Sequence, residues 1–140
     1  SIPSVKAVSI GSGVSNAFAP GSLAHDPISW SEERGFFRER NRAGGLEGGI
    51  TNGEDVLVVL FQKPIATLRE GLPSVDVDTK APHRAQYERS DVTAVPACGV
   101  IGEAMLALVL ADALLEKTGG DSMTEVRRNL EAFLAAQKGF

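Results

Sequence analysis

The sequence has a single cysteine, Cys98, so no disulfide can form within the chain. That economy suits a reducing cytosol, where thiols stay reduced. The start has no basic segment leading into an apolar run, so no signal peptide is expected. Histidine is nearly as scarce. His25 and His83 stand alone in loop-like surroundings, without neighbours at metal-ligand spacing, which leaves no readable zinc site. No Ser/His/Asp or Cys/His set stands out for nucleophilic catalysis. The G-x-x-x-x-G-K-[ST] phosphate loop and the G-x-G-x-x-G dinucleotide turn are both absent. Basic residues are outnumbered 14 to 18, giving a net charge of −4 and a pI near 5.2, which argues against a general nucleic-acid binder. One helix-length apolar segment occurs, "CGVIGEAMLALVLADALLEK". It carries Glu103, Asp112 and Glu116 and is short for a bilayer span, so it reads as a buried core helix.

The 140 residues fit one domain, and 43% hydrophobic residues suffice for a packed core. The chain opens without Met and already in a strand pattern, which leads us to expect the interior of a longer protein. "VKAVSIG", Val5 to Gly11, places Val8 and Ile10 on one face and reads as a strand. Ser12 to Trp30 shows no helical period and reads as a long loop. Ser31 to Arg42 is either a helical turn or an irregular basic arm. "EDVLVVLFQKPI" is apolar on both faces over Val56 to Phe61, predicting a strand covered on two sides. "PSVDVDT", Pro73 to Thr79, alternates as a half-exposed strand does, and Ala85 to Val92 is a further candidate strand. Pro96 then opens a helix running to Lys117, and "TGGD" stops it. A second helix opens with Ser122 and Glu125 in capping-box spacing, with Val126, Leu130, Phe133 and Leu134 as its apolar stripe. Strands first and helices last give an α+β class, a β-sheet layer packed on helices. No repeat or low-complexity tract appears.

Two stretches carry chemistry. Arg34, Arg38, Arg40 and Arg42 fall within nine positions, directly before "NRAGGLEGGITNG", which packs five glycines around Glu47. Lys63, Lys80, Arg84 and Arg89 extend the local basic character. Arginine offers a planar fork suited to phosphate, and glycine-rich backbone can turn several N–H groups toward one anion. Together they point to a site for a phosphorylated ligand. The plainer alternative pairs the arginines with Glu32, Glu33 and Glu39 in solvent and makes the glycines a tight connection into the Val56 strand. Within that loop, Glu47 is positioned to orient neighbouring backbone N–H groups. In "ERSDVTAVPA", Arg89 and Asp91 lie two apart before the apolar helix, where an extended backbone puts both on one face. That pair can bind an anion and move a proton. Asp91 or Thr93 serves equally well as an N-cap. Cys98 reads as a small core residue.

Taken as words, "NRAGGLEGGITNG", "KPIATL", "PSVDVDT", "ERSDVTAVPA" and "EKTGGDSMTEVRRNLEAFL", in this order and spacing, resemble chorismate synthase, as do "SIPSVKAVSIGSG" and "GSLAHDPI". The resemblance covers nearly the whole chain and matches the C-terminal part of that family. It implies conversion of 5-enolpyruvylshikimate 3-phosphate to chorismate by loss of phosphate and a ring hydrogen. It also implies dependence on reduced FMN, a cytoplasmic homotetramer and a sandwich of β-layers around helices. By position, Gly48 becomes a flavin contact. Lys63, Pro64, Ile65, Ala66 and Thr67 become the flavin-binding segment. Arg89 takes the junction of flavin and substrate, and Asp91 lies near the flavin's reactive nitrogen, assisting proton removal.

The chain departs from the family pattern at Arg40, at Ala66 and at Cys98, none of which removes a charged group. The family's two catalytic histidines and several phosphate-holding arginines belong to an N-terminal part absent here, and neither His25 nor His83 matches them. The 140 residues are thus expected to be one domain or fragment that is inactive alone, without NADPH-dependent flavin reductase activity. The alternatives are a non-catalytic binding or oligomerisation module that keeps the fold, and an unrelated phosphate-binding α+β domain.

Overall fold

A computed structural model describes residues 2–88 and 92–138. The N-terminal strand β1 (Val5–Ile10) pairs antiparallel with β6 (Val58–Gln62), in a register that sets Val8 opposite Leu60 and Ile10 opposite Val58. Between them the chain folds into two hairpins. β2 (Ile28–Ser31) pairs with β3 (Gly35–Arg38), and β4 (Leu46–Glu47) with β5 (Ile50–Thr51). A third hairpin, β7 (Pro73–Val75) with β8 (Pro82–Arg84), precedes two helices, α3 (Val95–Thr118) and α4 (Met123–Gln137). Among the described residues every sheet is two-stranded and antiparallel. The α+β class holds.

Several sequence expectations are corrected. Ser12 to Trp30 is not a plain loop. It contains the one-turn helices α1 (Ser15–Phe18) and α2 (Gly21–Ala24) and enters β2. Ser31 to Arg42 is neither helical nor irregular, because β3 runs through its centre as the return arm of the β2–β3 hairpin. The half-exposed strand expected over Pro73 to Thr79 ends at Val75. From there Asp76 caps a turn, its Oδ1 accepting from the backbone N–H groups of Asp78 and Thr79 and from the Thr79 hydroxyl. Those bonds, the Thr79 backbone N–H foremost, hold the Asp76 carboxyl below the usual carboxylate range. The next strand lies at Pro82–Arg84, and 85–88 is not a strand; the rest of that candidate, through 91, lies outside the described residues.

The helical half follows its local signals. Pro96 sits in the first turn of α3, where its missing N–H costs no hydrogen bond. Gly119 ends the helix, its N–H bonding the Leu115 carbonyl at 2.8 Å. Ser122 Oγ accepts the Glu125 N–H at 3.3 Å, while Glu125 Oε2 reaches the Asp121 N–H at 2.7 Å, one residue earlier than in a standard capping box. α4 then packs on α3 through buried Val126, with Asn129 Nδ2 donating to the Thr118 carbonyl and Lys117 Nζ 4.2 Å from the Phe133 ring centroid.

Packing departs furthest from expectation. Among the described residues, only Cys98 and Val126 are buried apolar side chains. Helix α3 meets β6, with Leu60 seated against Gly102, but most of its surface is open: Leu108, Val109 and Val100 are each more than 60% exposed. β6 is covered on one face by α3 and leaves Val59 and Phe61 exposed on the other. So neither the buried helix nor the doubly covered strand is realised within this chain. The accessible surface is 11413 Å², against about 7,000 Å² for a folded monomer of this mass. By length and composition α3 is also apolar enough to cross a membrane.

Because α4 is seated by its cap and one buried valine, Ser122→Ala is expected to cost about 1 kcal/mol. A denaturant titration followed by helical circular dichroism should show the lower midpoint, and an unchanged midpoint would contradict the assignment.

Candidate functional site

The glycine run is a hairpin. Gly48 and Gly49 occupy its two-residue turn with φ of +59° and +78°, the mirror-image turn whose twist matches the flanking strands and which side-chain-bearing residues enter only with strain. A side chain added at either would meet nothing within 4 Å, so the turn presents bare backbone to open space. The other close approach is at the base. Gly44 lies against Gly11 backbone to backbone, where a side chain on either would collide with the other's main chain. There Ser12 N–H bonds the Arg42 carbonyl at 2.8 Å, Gly11 N–H the Leu57 carbonyl at 2.9 Å and Leu57 N–H the Gly44 carbonyl at 3.2 Å. The end of β1, the glycine loop and the run into β6 are stitched into one unit.

Polar side chains set the loop's shape. Asn41 spans it, Nδ2 donating to the Asp55 carbonyl at 2.8 Å and Oδ1 accepting the Gly45 N–H at 2.7 Å. Asp26, on the loop before β2, accepts the Ala43 N–H on Oδ2 at 2.8 Å. Glu47 turns to side chains rather than to backbone N–H groups as the sequence suggested. Its Oε2 accepts from Arg38 Nε at 2.9 Å and from Asn52 Nδ2 at 2.8 Å, and forms an ion pair with Arg38 Nη2 at 2.6 Å. The Asn52 amide, and then Arg38, hold the Glu47 carboxyl below its ordinary range against the opposing effects of burial and of nearby Asp26.

The arginine cluster is partly committed. Arg38 is bound to Glu47, and Arg34 lies 4.0 Å from both Glu54 and the Phe37 ring centroid. The partners are Glu47 and Glu54 rather than the Glu32, Glu33 and Glu39 considered from sequence. Gly48 borders a cavity of about 590 Å³ together with Asn16, His25, Asp26 and Glu47. Lys63 follows β6, its backbone N–H on the Ser4 carbonyl at 2.8 Å, and its side chain is exposed. Pro64 and Ile65 lead to Ala66 and Thr67, which line a separate cavity of about 180 Å³ with Leu72, Gln86 and Glu88. The two cavities share no residue. Arg89 and Asp91 lie outside the described residues. Sequence reading missed Asp26, Asn41 and Asn52. Asn41 and Asn52 flank the glycines and could have been suspected as turn formers, but nothing local marks Asp26, whose partner is 17 residues away.

Known proteins are similar to this chain along nearly its whole length. The family model for chorismate synthase matches residues 1–115. The chorismate synthase of Aquifex aeolicus is 53% identical over 140 residues, covering all of this chain and 35% of that protein. A chorismate synthase of Thermus thermophilus is 57% identical over 133 residues, 95% of this chain and 35% of that protein. A crystal structure of a chorismate synthase superposes with a TM-score of 0.77 at 44% identity, covering 99% of this chain and 34% of that one. The chain spans about a third of the length of the curated relatives it matches.

With its native value lowered, Glu47 contributes stability that is present above the unfolded value near 4.5 and is lost as pH falls through the lower native one. An NMR titration should place the Glu47 carboxyl midpoint below 4.5, with β4–β5 cross-strand contacts weakening in the same acid window. Glu47→Gln should remove that acid dependence of the hairpin. A midpoint at or above 4.5 would contradict the geometry.

Proposed function

The chain belongs to the chorismate synthase family, and we propose on that premise that it supplies part of the flavin and substrate site of an enzyme converting 5-enolpyruvylshikimate 3-phosphate to chorismate. The observation that carries this reading is the family match over residues 1–115, which spans the glycine hairpin, the "KPIAT" segment and the Arg89–Asp91 stretch. In this reading the whole enzyme, about a third of whose length this chain spans, works as a cytoplasmic homo-oligomer, a tetramer.

The residues suit reduced FMN. Bare backbone at Gly48, with open space above it, lets a flat ring system approach closely, and Lys63 offers an exposed cation for a phosphate. When bound, the reduced flavin supplies transient electron density to the substrate. The chain's own groups do the remainder. Gly48 gives van der Waals contact, Lys63 to Thr67 orient the cofactor, and Arg89 neutralises anionic charge where cofactor and substrate meet. Asp91 assists removal of the ring proton as phosphate departs. Preorganised charge of this kind stabilises a transition state without reorganisation during reaction.

The open apolar faces of α3 and β6 fit this reading. The surplus surface is several times the ~800 Å² that one partner contributes to a standard interface. It calls for cover by protein in the working enzyme rather than by lipid, since Glu103, Asp112 and Glu116 interrupt the helix. The same exposure favours a second reading, in which the isolated chain is an assembly module without catalysis.

Complementation of a shikimate-pathway auxotroph by these 140 residues alone is expected to fail, and growth would refute the incompleteness assigned here. Titration of FMN, followed by flavin fluorescence, bears on the two readings: saturable binding supports a self-sufficient cofactor site, and its absence supports an incomplete half-site or the assembly module. Arg89→Ala should weaken FMN binding about tenfold, the loss of one charge-assisted contact.

A further inference from the structure

Helix α3 keeps one face free of both its neighbours. β6 meets it at Gly102, and the cavity of about 460 Å³ between them is lined on the helix by Cys98, Gly99, Gly102 and Leu106. α4 meets it near its end, through Lys117 and the Thr118 carbonyl. At 3.6 residues per turn, Ile101, Ala104, Leu108, Ala111, Leu115 and Thr118 fall on the side turned away from that cavity. The three large side chains are 48%, 66% and 49% exposed, and both alanines are exposed as well. The six positions alternate spacings of three and four residues, the pattern of a helix that pairs with another along a seam. Large aliphatic side chains alternate strictly with small ones. Glu103, Asp112 and Glu116 all lie outside the seam, and the Thr118 hydroxyl is already bonded to the Leu114 carbonyl at 2.8 Å.

That alternation selects an orientation. Two copies of α3 set parallel stack large on large and small on small, so successive layers are overfilled and then hollow. Set antiparallel about a two-fold axis, they stack Ile101 on Thr118, Ala104 on Leu115 and Leu108 on Ala111, each pair occurring twice. Every layer then joins one large side chain to one small one. Beside the seam, Leu114 comes level with Ala107 of the second copy, again large against small, and Asp112 with Met105 rather than with its own image. A partner helix must be small where α3 is large and large where it is small, and α3 reversed meets that demand at all six positions. The area is sufficient, because the surface left open exceeds several times the ~800 Å² that each partner gives to a standard interface. We propose that α3 pairs antiparallel with the α3 of a second copy of this chain along this seam. The inference goes beyond the flavin reading and holds whether or not the chain binds a cofactor.

Sedimentation equilibrium of the full chain over a concentration series tests it and should show a monomer–dimer equilibrium. Leu108→Ala hollows the two central layers and Ala111→Leu overfills them, and each should raise the dimer dissociation constant about tenfold or more. The double variant Leu108→Ala/Ala111→Leu exchanges large and small within those same layers and should return the constant to within about threefold of native. Both positions are exposed and both residue types favour helix, so circular dichroism should show unchanged helix content in all three variants. A chain that stays monomeric throughout leaves the face to another partner and overturns the proposal. So does an assembly whose constant neither single substitution moves. Single losses that the exchange fails to restore overturn it too, since reversed self-pairing is what sets Leu108 against Ala111.

Discussion

The glycine hairpin depends on the carboxylate of Glu47, which gathers the Arg38 guanidinium from one hairpin and the Asn52 amide from the far side of the other. Without that contact β4 and β5 are two residues each, far too short to hold a register by themselves. Asn41 and Asp26 complete the arrangement by fixing the Gly45 and Ala43 amides. The loop is thus held by short polar bonds between side chain and backbone. The chain has little hydrophobic core to hold it otherwise, with two buried apolar side chains, Cys98 and Val126, among the described residues.

This division explains why five glycines can be tolerated in one stretch. Glycine costs about 0.5–1 kcal/mol relative to alanine in a regular element through lost chain entropy. Here the cost accompanies a two-residue turn with both φ values positive and a backbone-to-backbone crossing at Gly11 and Gly44. The outcome is a loop that exposes unadorned backbone. Such a surface suits close approach by a planar ligand. The arginines that precede the loop serve first as struts, with Arg38 on Glu47 and Arg34 beside Glu54 and Phe37.

Sequence pattern revealed the helical half because its signals are local. Pro96 at the start of α3, Gly119 at its end, and Ser122 with Glu125 at the head of α4 each act within four residues. The hairpins were harder to see. In β2–β3 the pairing of Trp30 with Phe36 and Ile28 with Arg38 leaves no buried face to impose alternation. The all-round apolar character of α3 signals cover on every side, yet a sequence cannot say which element provides it, and within this chain β6 and α4 provide only part. Of the site, the glycine turn was legible. Asp26 was not, because its hydrogen bond to Ala43 joins residues distant in the chain.

The central claim is that side-chain bonds, rather than core packing, give the glycine loop its form. Amide hydrogen exchange at Gly45 tests it most directly, comparing the native chain with Asn41→Ala. The bond from the Gly45 N–H to Asn41 Oδ1 is 2.7 Å, so the native amide should be protected and the variant should exchange about tenfold faster or more. Equal exchange in the two proteins would contradict the account.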